Sequence, residues 1–246
     1  MYLSKILGAV LILLCILFLG LQYQTLEYEA SGVRALGLIV LLCLYLFNGN
    51  NRHPLFLLFL LFFTFAEVIN YMTYPFEFPP LDDIDYMYYV SNVISILAYT
   101  FLILRILSGI NIYKAIAKFP IQSILLVVLS VFVVYLVTDT TGADLDFYEY
   151  TLEFTYNTVV IILMSLSLLY YMLKEDLKSM NLLIGSICIL FYEILQLAYY
   201  YIEKSEVLNL FCSLFFVTAF YFYYLQSRLK HVEIVEYSDK SQRLDL

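Results

Sequence analysis

Charge is scarce in this chain: only 14% of its 246 residues are charged, against 63% hydrophobic, and its mean hydropathy is +0.86. A soluble domain of this size cannot bury that much apolar surface, because its surface-to-volume ratio demands a larger polar share. Histidine is scarcer still. The two present, His53 and His231, both fall outside the apolar runs, which argues against a His-ligated metal hydrolase and an intramembrane Ser–His protease. No lysine lies within an apolar run to carry a retinal Schiff base, and Walker-type glycine loops are missing, so ATP is not the fuel. Basic clusters interleaved with aromatics are also missing, which leaves nucleic-acid binding without support. The four cysteines (Cys15, Cys43, Cys188, Cys212) are widely spaced inside apolar runs, with neither disulfide-framework nor metal spacing. They read as small hydrophobes. Neither a cofactor nor a metal is expected.

What the chain does have is long apolar runs. They are continuous over about 18–22 residues, the length of a helical membrane span, rather than about ten alternating residues. In lipid only helices and closed barrels satisfy their own backbones. The expectation is an all-α polytopic membrane protein with eight transmembrane helices, over 5–22, 34–48, 54–73, 88–106, 119–138, 152–173, 180–202 and 206–227. Residues 1–230 form one transmembrane domain, and the charged segment 231–246 reads as a cytoplasmic tail. The first run follows Lys5, but it is long for a signal peptide and lacks a small-x-small cleavage site, so it counts as a span.

Orientation follows from the basic residues. One set of loops holds Lys5, Arg52, Arg105, Lys114, Lys118, Lys174, Lys178, Arg228, Lys230, Lys240 and Arg243; the other holds only Arg34 and Lys204. The second set is acidic instead, with Glu27, Glu29, Glu77, Asp82, Asp83, Asp85, Asp139, Asp144, Asp146 and Glu149. The alternation holds through all eight spans and places both termini in the cytoplasm, with the cell membrane as the expected location. The prolines around Tyr74–Pro80 end the third span, and most of the 25 tyrosines read as interfacial belt and helix packing.

Two acids remain deep in apolar sequence, Glu67 and Glu193. An ionisable group within a span is costly and normally faces the bundle interior. Each lies about 13 residues past the start of a span running outward, or about 20 Å from the cytoplasmic side at 1.5 Å per residue. An amide follows three residues later in each case, Asn70 and Gln196, on what should be the same helix face. Asn92, Asn157 and Asn209 reach a similar depth. Together these groups suggest a polar pocket opening toward the outer leaflet, with interhelical hydrogen bonding as the alternative role. One carboxyl of a buried pair can hold a proton while the other is an ionised base. That division suits hydrolysis of an ether through an oxocarbenium-like cation, and equally a proton relay in a transporter.

The eight-span layout and the placement of the acids resemble the YhhN family of lysoplasmalogenase-like membrane proteins. Phe65–Ala66–Glu67–Val68 is similar to that family's early acidic motif, Gly185 through Phe191–Tyr192–Glu193 to its seventh-span motif, and Tyr223–Tyr224–Leu225–Gln226 to its closing run. Two departures stand out: glutamates replace the family's aspartates, and Ala98–Tyr99 stands where the family has Ala-His. The resemblance implies cleavage of the vinyl ether bond of a lysolipid substrate by Glu67 and Glu193, one protonating the vinyl carbon and the other assisting water. The alternative is a non-catalytic membrane protein, either a proton-coupled transporter or a sensor or scaffold subunit. Nothing in the sequence speaks to oligomeric state.

Overall fold

The computed structural model describes residues 2–48, 53–74, 86–141 and 146–229. The tail at 231–246, with His231, and several of the loop charges counted above (Arg52, Glu77, Asp82, Asp83, Asp85, Asp144, Lys230) lie outside the described residues. The described residues form nine helices: α1 (Tyr2–Tyr23), α2 (Glu27–Asn48), α3 (Pro54–Thr73), α4 (Tyr86–Gly109), α5 (Ile112–Lys118), α6 (Pro120–Thr141), α7 (Phe147–Lys174), α8 (Leu177–Tyr201) and α9 (Glu206–Arg228). Eight of them, all but α5, are long and apolar enough to cross a membrane. The protein is a multi-pass integral membrane protein with eight spans, and the short α5 joins the fourth to the fifth.

Several helices start earlier than hydropathy alone suggests, and in three of them the local cause is plain. Asp146 caps α7 in a capping box with Glu149, and Asp176 caps α8 with Ser179. These caps satisfy first-turn N–H groups that have no partner within the helix. The α1–α2 connection is a tight turn closed by Leu26 N–H on Leu21 O at 3.1 Å, so α2 begins at Glu27. Arg34, expected in a loop, therefore lies inside α2. Arg105, counted with the cytoplasmic loops, lies inside α4, and Lys178 in the first turn of α8.

The packing closes a ring: α1 against α2, α2 against α3, α3 against α4, α4 against α7, α7 against α8, α8 against α9, and α9 back against α1. The sixth helix sits outside this ring against α7, joined by Ser130 and Ser165 hydroxyls at 3.0 Å. Its remaining faces, including Val127, Val131, Phe132 and Tyr135, are exposed, as is much of α1. These are the surfaces lipid covers.

Aromatic side chains fill the ring. Phe59 and Phe63 of α3 meet Phe216, Phe220 and Tyr223 of α9 at centroid separations of 4.9 to 6.2 Å. The tightest backbone approach is between α8 and α9. A Cβ on Gly185 would stand 2.7 Å from the Tyr223 ring and 3.3 Å from Ala219 O. Small residues let helices close in lipid, where packing rather than water drives association.

Candidate functional site

A cavity of about 60 Å³ opens at the end of the bundle that carries the α1–α2 and α8–α9 turns. That is room for a few waters. Its walls come from four helices and the end of a fifth: Phe18 and Gln22 of α1; Glu27, Ser31 and Arg34 of α2; Tyr74 just past α3; Tyr192, Gln196, Tyr199 and Tyr200 of α8; and Asn209, Cys212 and Ser213 of α9. At the rim, Glu27 accepts hydrogen bonds from the phenols of Tyr74 (2.7 Å) and Tyr199. Partial burial and the Glu27 carboxylate both raise the Tyr74 phenol's pKa, so Tyr74 stays a donor at neutral pH. One wall is pinned by Asn209, whose amide donates to Gln22 Oε1 at 2.9 Å.

The floor of the cavity is an ion pair. Arg34 Nη2 lies 2.7 Å from Glu67 Oε2, and Glu67 is buried. Arg34 Nη1 also donates to the Tyr192 hydroxyl at 3.4 Å, and the guanidinium stands 5.5 Å over the Phe216 ring. Arg34 is seven residues into α2 (27 to 34) and Glu67 six before the end of α3 (67 to 73), so both lie about 10 Å from this end. Helical side chains tilt toward their own N-terminus. Arg34 therefore leans up into the cavity, while Glu67, on a helix of opposite sense, leans below it. Arg34 forms part of the lining, and Glu67 acts on the cavity through it.

Glu193 looks elsewhere. Its Oε1 accepts hydrogen bonds from Tyr99 of α4 and Tyr156 of α7, both at 2.7 Å. The same tilt explains the meeting: Tyr99 starts deeper and leans toward the cavity end, while Glu193 starts nearer that end and leans down. Each of the two glutamates has its own partners. Glu67 is bound to a cation and Glu193 to two phenols.

The amides divide in the same way. Gln196 and Asn209 line the cavity; Asn70, Asn92 and Asn157 are not among its lining residues. Gln196 does not share a task with Glu193, since the amide faces the cavity and the carboxyl faces α4 and α7. Asn92 donates to Tyr88 O on its own helix at 2.9 Å. Asn157 is buried with its Nδ2 unbonded.

Three further groups escaped the sequence reading. Arg34 was hidden by its neighbours Glu27 and Glu29, which made the start of α2 look like a loop. Glu153, buried in α7, accepts from the Tyr88 hydroxyl at 2.7 Å. The spacing Glu149, Glu153, Asn157 marks one polar face of α7 and could have pointed to it. Tyr99 and Tyr192 stood in the resembling segments without a role assigned to them, and Tyr156 was lost among many tyrosines.

Among the described residues, no three His, Cys, Asp or Glu side chains come together in a way that could hold a metal ion. Compared with family models, with curated proteins and with solved structures, the chain matches none of them.

Proposed function

We propose that this protein is a membrane-embedded hydrolase of the lysolipid ether-bond class it resembles, acting on an amphiphile whose polar head enters the cavity above Arg34 and Glu67. The reading includes a cell-membrane location with both termini cytoplasmic, which turns the cavity outward. One observation carries it: a polar, tyrosine-walled cavity ends on the Arg34 guanidinium, which is ion-paired with the buried Glu67 beneath the lining, and the ring below is closed by aromatic packing. A blind cavity near the interface suits a single-chain lipid, with its head among the polar walls and its chain against the apolar helix faces.

Hydrolysis of a vinyl ether adds a proton to the vinyl carbon that is not bonded to oxygen and leaves a cation on the carbon that is. Water then adds to that carbon, and the hemiacetal breaks down to an aldehyde and an alcohol. In this reading Glu67, paired with Arg34 beneath the cavity, acts through that pair to orient water and to balance the charge that develops. Glu193 is the proton source in this reading, and because it faces Tyr99 and Tyr156 and not the cavity, its proton reaches the substrate through an intervening group rather than by direct contact.

The test is purified protein in detergent with a vinyl-ether lysolipid, measuring aldehyde release. Glu67→Gln and Glu193→Gln are each expected to lower the rate about 100-fold or more, the usual contribution of one acid or base. No aldehyde from the wild-type chain removes the enzymatic reading. Unchanged rates in both variants remove the assignment of these residues.

The non-catalytic reading rests on a different observation, that both carboxyls already have full-time partners. Proton flux in proteoliposomes supports a transporter, and a stable co-purifying partner supports a sensor or scaffold subunit.

A further inference from the structure

The opposite end of the bundle gathers positive charge, and among the described residues no carboxylate lies within salt-bridge distance of it. Arg105 of α4 donates through Nη2 to Gln226 Oε1 of α9 at 2.7 Å, and its guanidinium stands 5.3 Å over the Phe56 ring of α3. Its Nε is buried without an acceptor. Gln226 is fully buried, and its amide nitrogen also lacks an acceptor. His53 sits beside them at the start of α3, held by its backbone N–H on the Tyr45 hydroxyl at 3.0 Å, with its own Nδ1 buried and unbonded. The charges of Arg105 and Lys178 both reach His53.

Among the described residues the only ion pair is Arg34–Glu67, so neither Arg105 nor Lys178 is within salt-bridge distance of a described carboxylate. The Asp176 carboxylate acts on Lys178 electrostatically. Its Oδ1 is taken by the Ser179 N–H at 2.7 Å as the cap of α8. The third helix begins here with no side-chain cap, which adds the positive end of a helix dipole. A buried guanidinium nitrogen and a buried amide nitrogen left without acceptors are costly. An anion of several oxygens would satisfy both.

We propose that this end of the bundle binds a phosphate-class anion, held by Arg105 and Gln226 with Lys178, His53 and the start of α3 around it. Free phosphate and a phosphate monoester on a lipid head share the required chemistry. The site is independent of the cavity at the other end and of any reaction there.

The experiment is thermal unfolding and binding of the purified full chain in detergent. The probes are inorganic phosphate and, separately, a short-chain phosphatidic acid, with chloride at matched ionic strength as the reference. Either probe is expected to raise the unfolding midpoint. A response to both identifies a free-anion site, and a response to the phosphatidic acid alone identifies a lipid-head site. Arg105→Gln is expected to weaken binding about tenfold or more, the effect of losing one charged hydrogen bond. Lys178→Gln is expected to weaken it less. Lys114→Gln, which removes an exposed charge on α5, should leave it unchanged. Should Arg105→Gln fail to fold, Lys178→Gln and His53→Ala carry the test. The proposal is overturned if neither probe stabilises the protein beyond chloride, or if Lys178→Gln and His53→Ala bind as the wild type does.

Discussion

Replacing Arg34 with leucine removes the cation paired with Glu67. The carboxyl is then left in a site where its side chain is 6% exposed, with aromatic packing below it. Leaving one partner of a buried pair alone costs about 3–5 kcal/mol, and replacing both with apolar residues is often neutral or better. Arg34 also loses its bond to Tyr192 and its place over Phe216, together about 1–2 kcal/mol. Arg34→Leu is therefore expected to lose about 4 kcal/mol or more. Glu67→Leu loses a comparable amount by stranding the guanidinium. The double variant should recover most of the loss, to within about 1–2 kcal/mol of wild type, giving a large favourable coupling energy. Reversible unfolding in mixed micelles, followed by circular dichroism, measures all four corners of the cycle. The double variant also separates roles, since it should fold yet release no aldehyde. Single-variant losses below about 1 kcal/mol that simply add would refute a desolvated ion pair at this site.

Gly185→Ala places a methyl against the Tyr223 ring and should cost about 1–3 kcal/mol by overpacking the α8–α9 contact. Gly37→Ala, with open space around it, should cost nothing measurable in the same unfolding assay. Tyr99→Phe and Tyr156→Phe each remove one hydrogen bond to Glu193 Oε1, and each should cost about 1–3 kcal/mol. Their combination should exceed the sum, because the carboxyl then has neither phenol, and a double-variant cycle reads this directly. His53 has its pKa lowered from 6.5 by burial and then by the charges of Arg105 and Lys178. Its neutral form is the one the fold prefers, so this contribution is complete above pH 6.5 and is lost as pH falls below it. In phosphate-free buffer, His53→Gln should flatten the fall in stability between pH 6.5 and acid; an unchanged slope would show that the imidazole does not titrate differently on folding.

The sequence by itself determined the number of spans and their order. In lipid each helix satisfies its own backbone, so an apolar run of about 20 residues is a structural unit whatever its neighbours do. That autonomy is why runs over 54–73 and 206–227 stand within a residue of α3 and α9. It is also why Glu67 and Glu193 could be singled out as buried, since their cost is a property of depth alone. Only the tertiary structure decided what each buried group meets. Arg34 finds Glu67, Glu193 finds Tyr99 and Tyr156, and Glu153 finds Tyr88 because of how adjacent helices are rotated and which way their side chains tilt. Hydropathy carries no record of rotation. It also misplaced Arg34, because a charge near a span's end lowers the average as a loop would, although the helix continues through it and neutralises the charge on the next one.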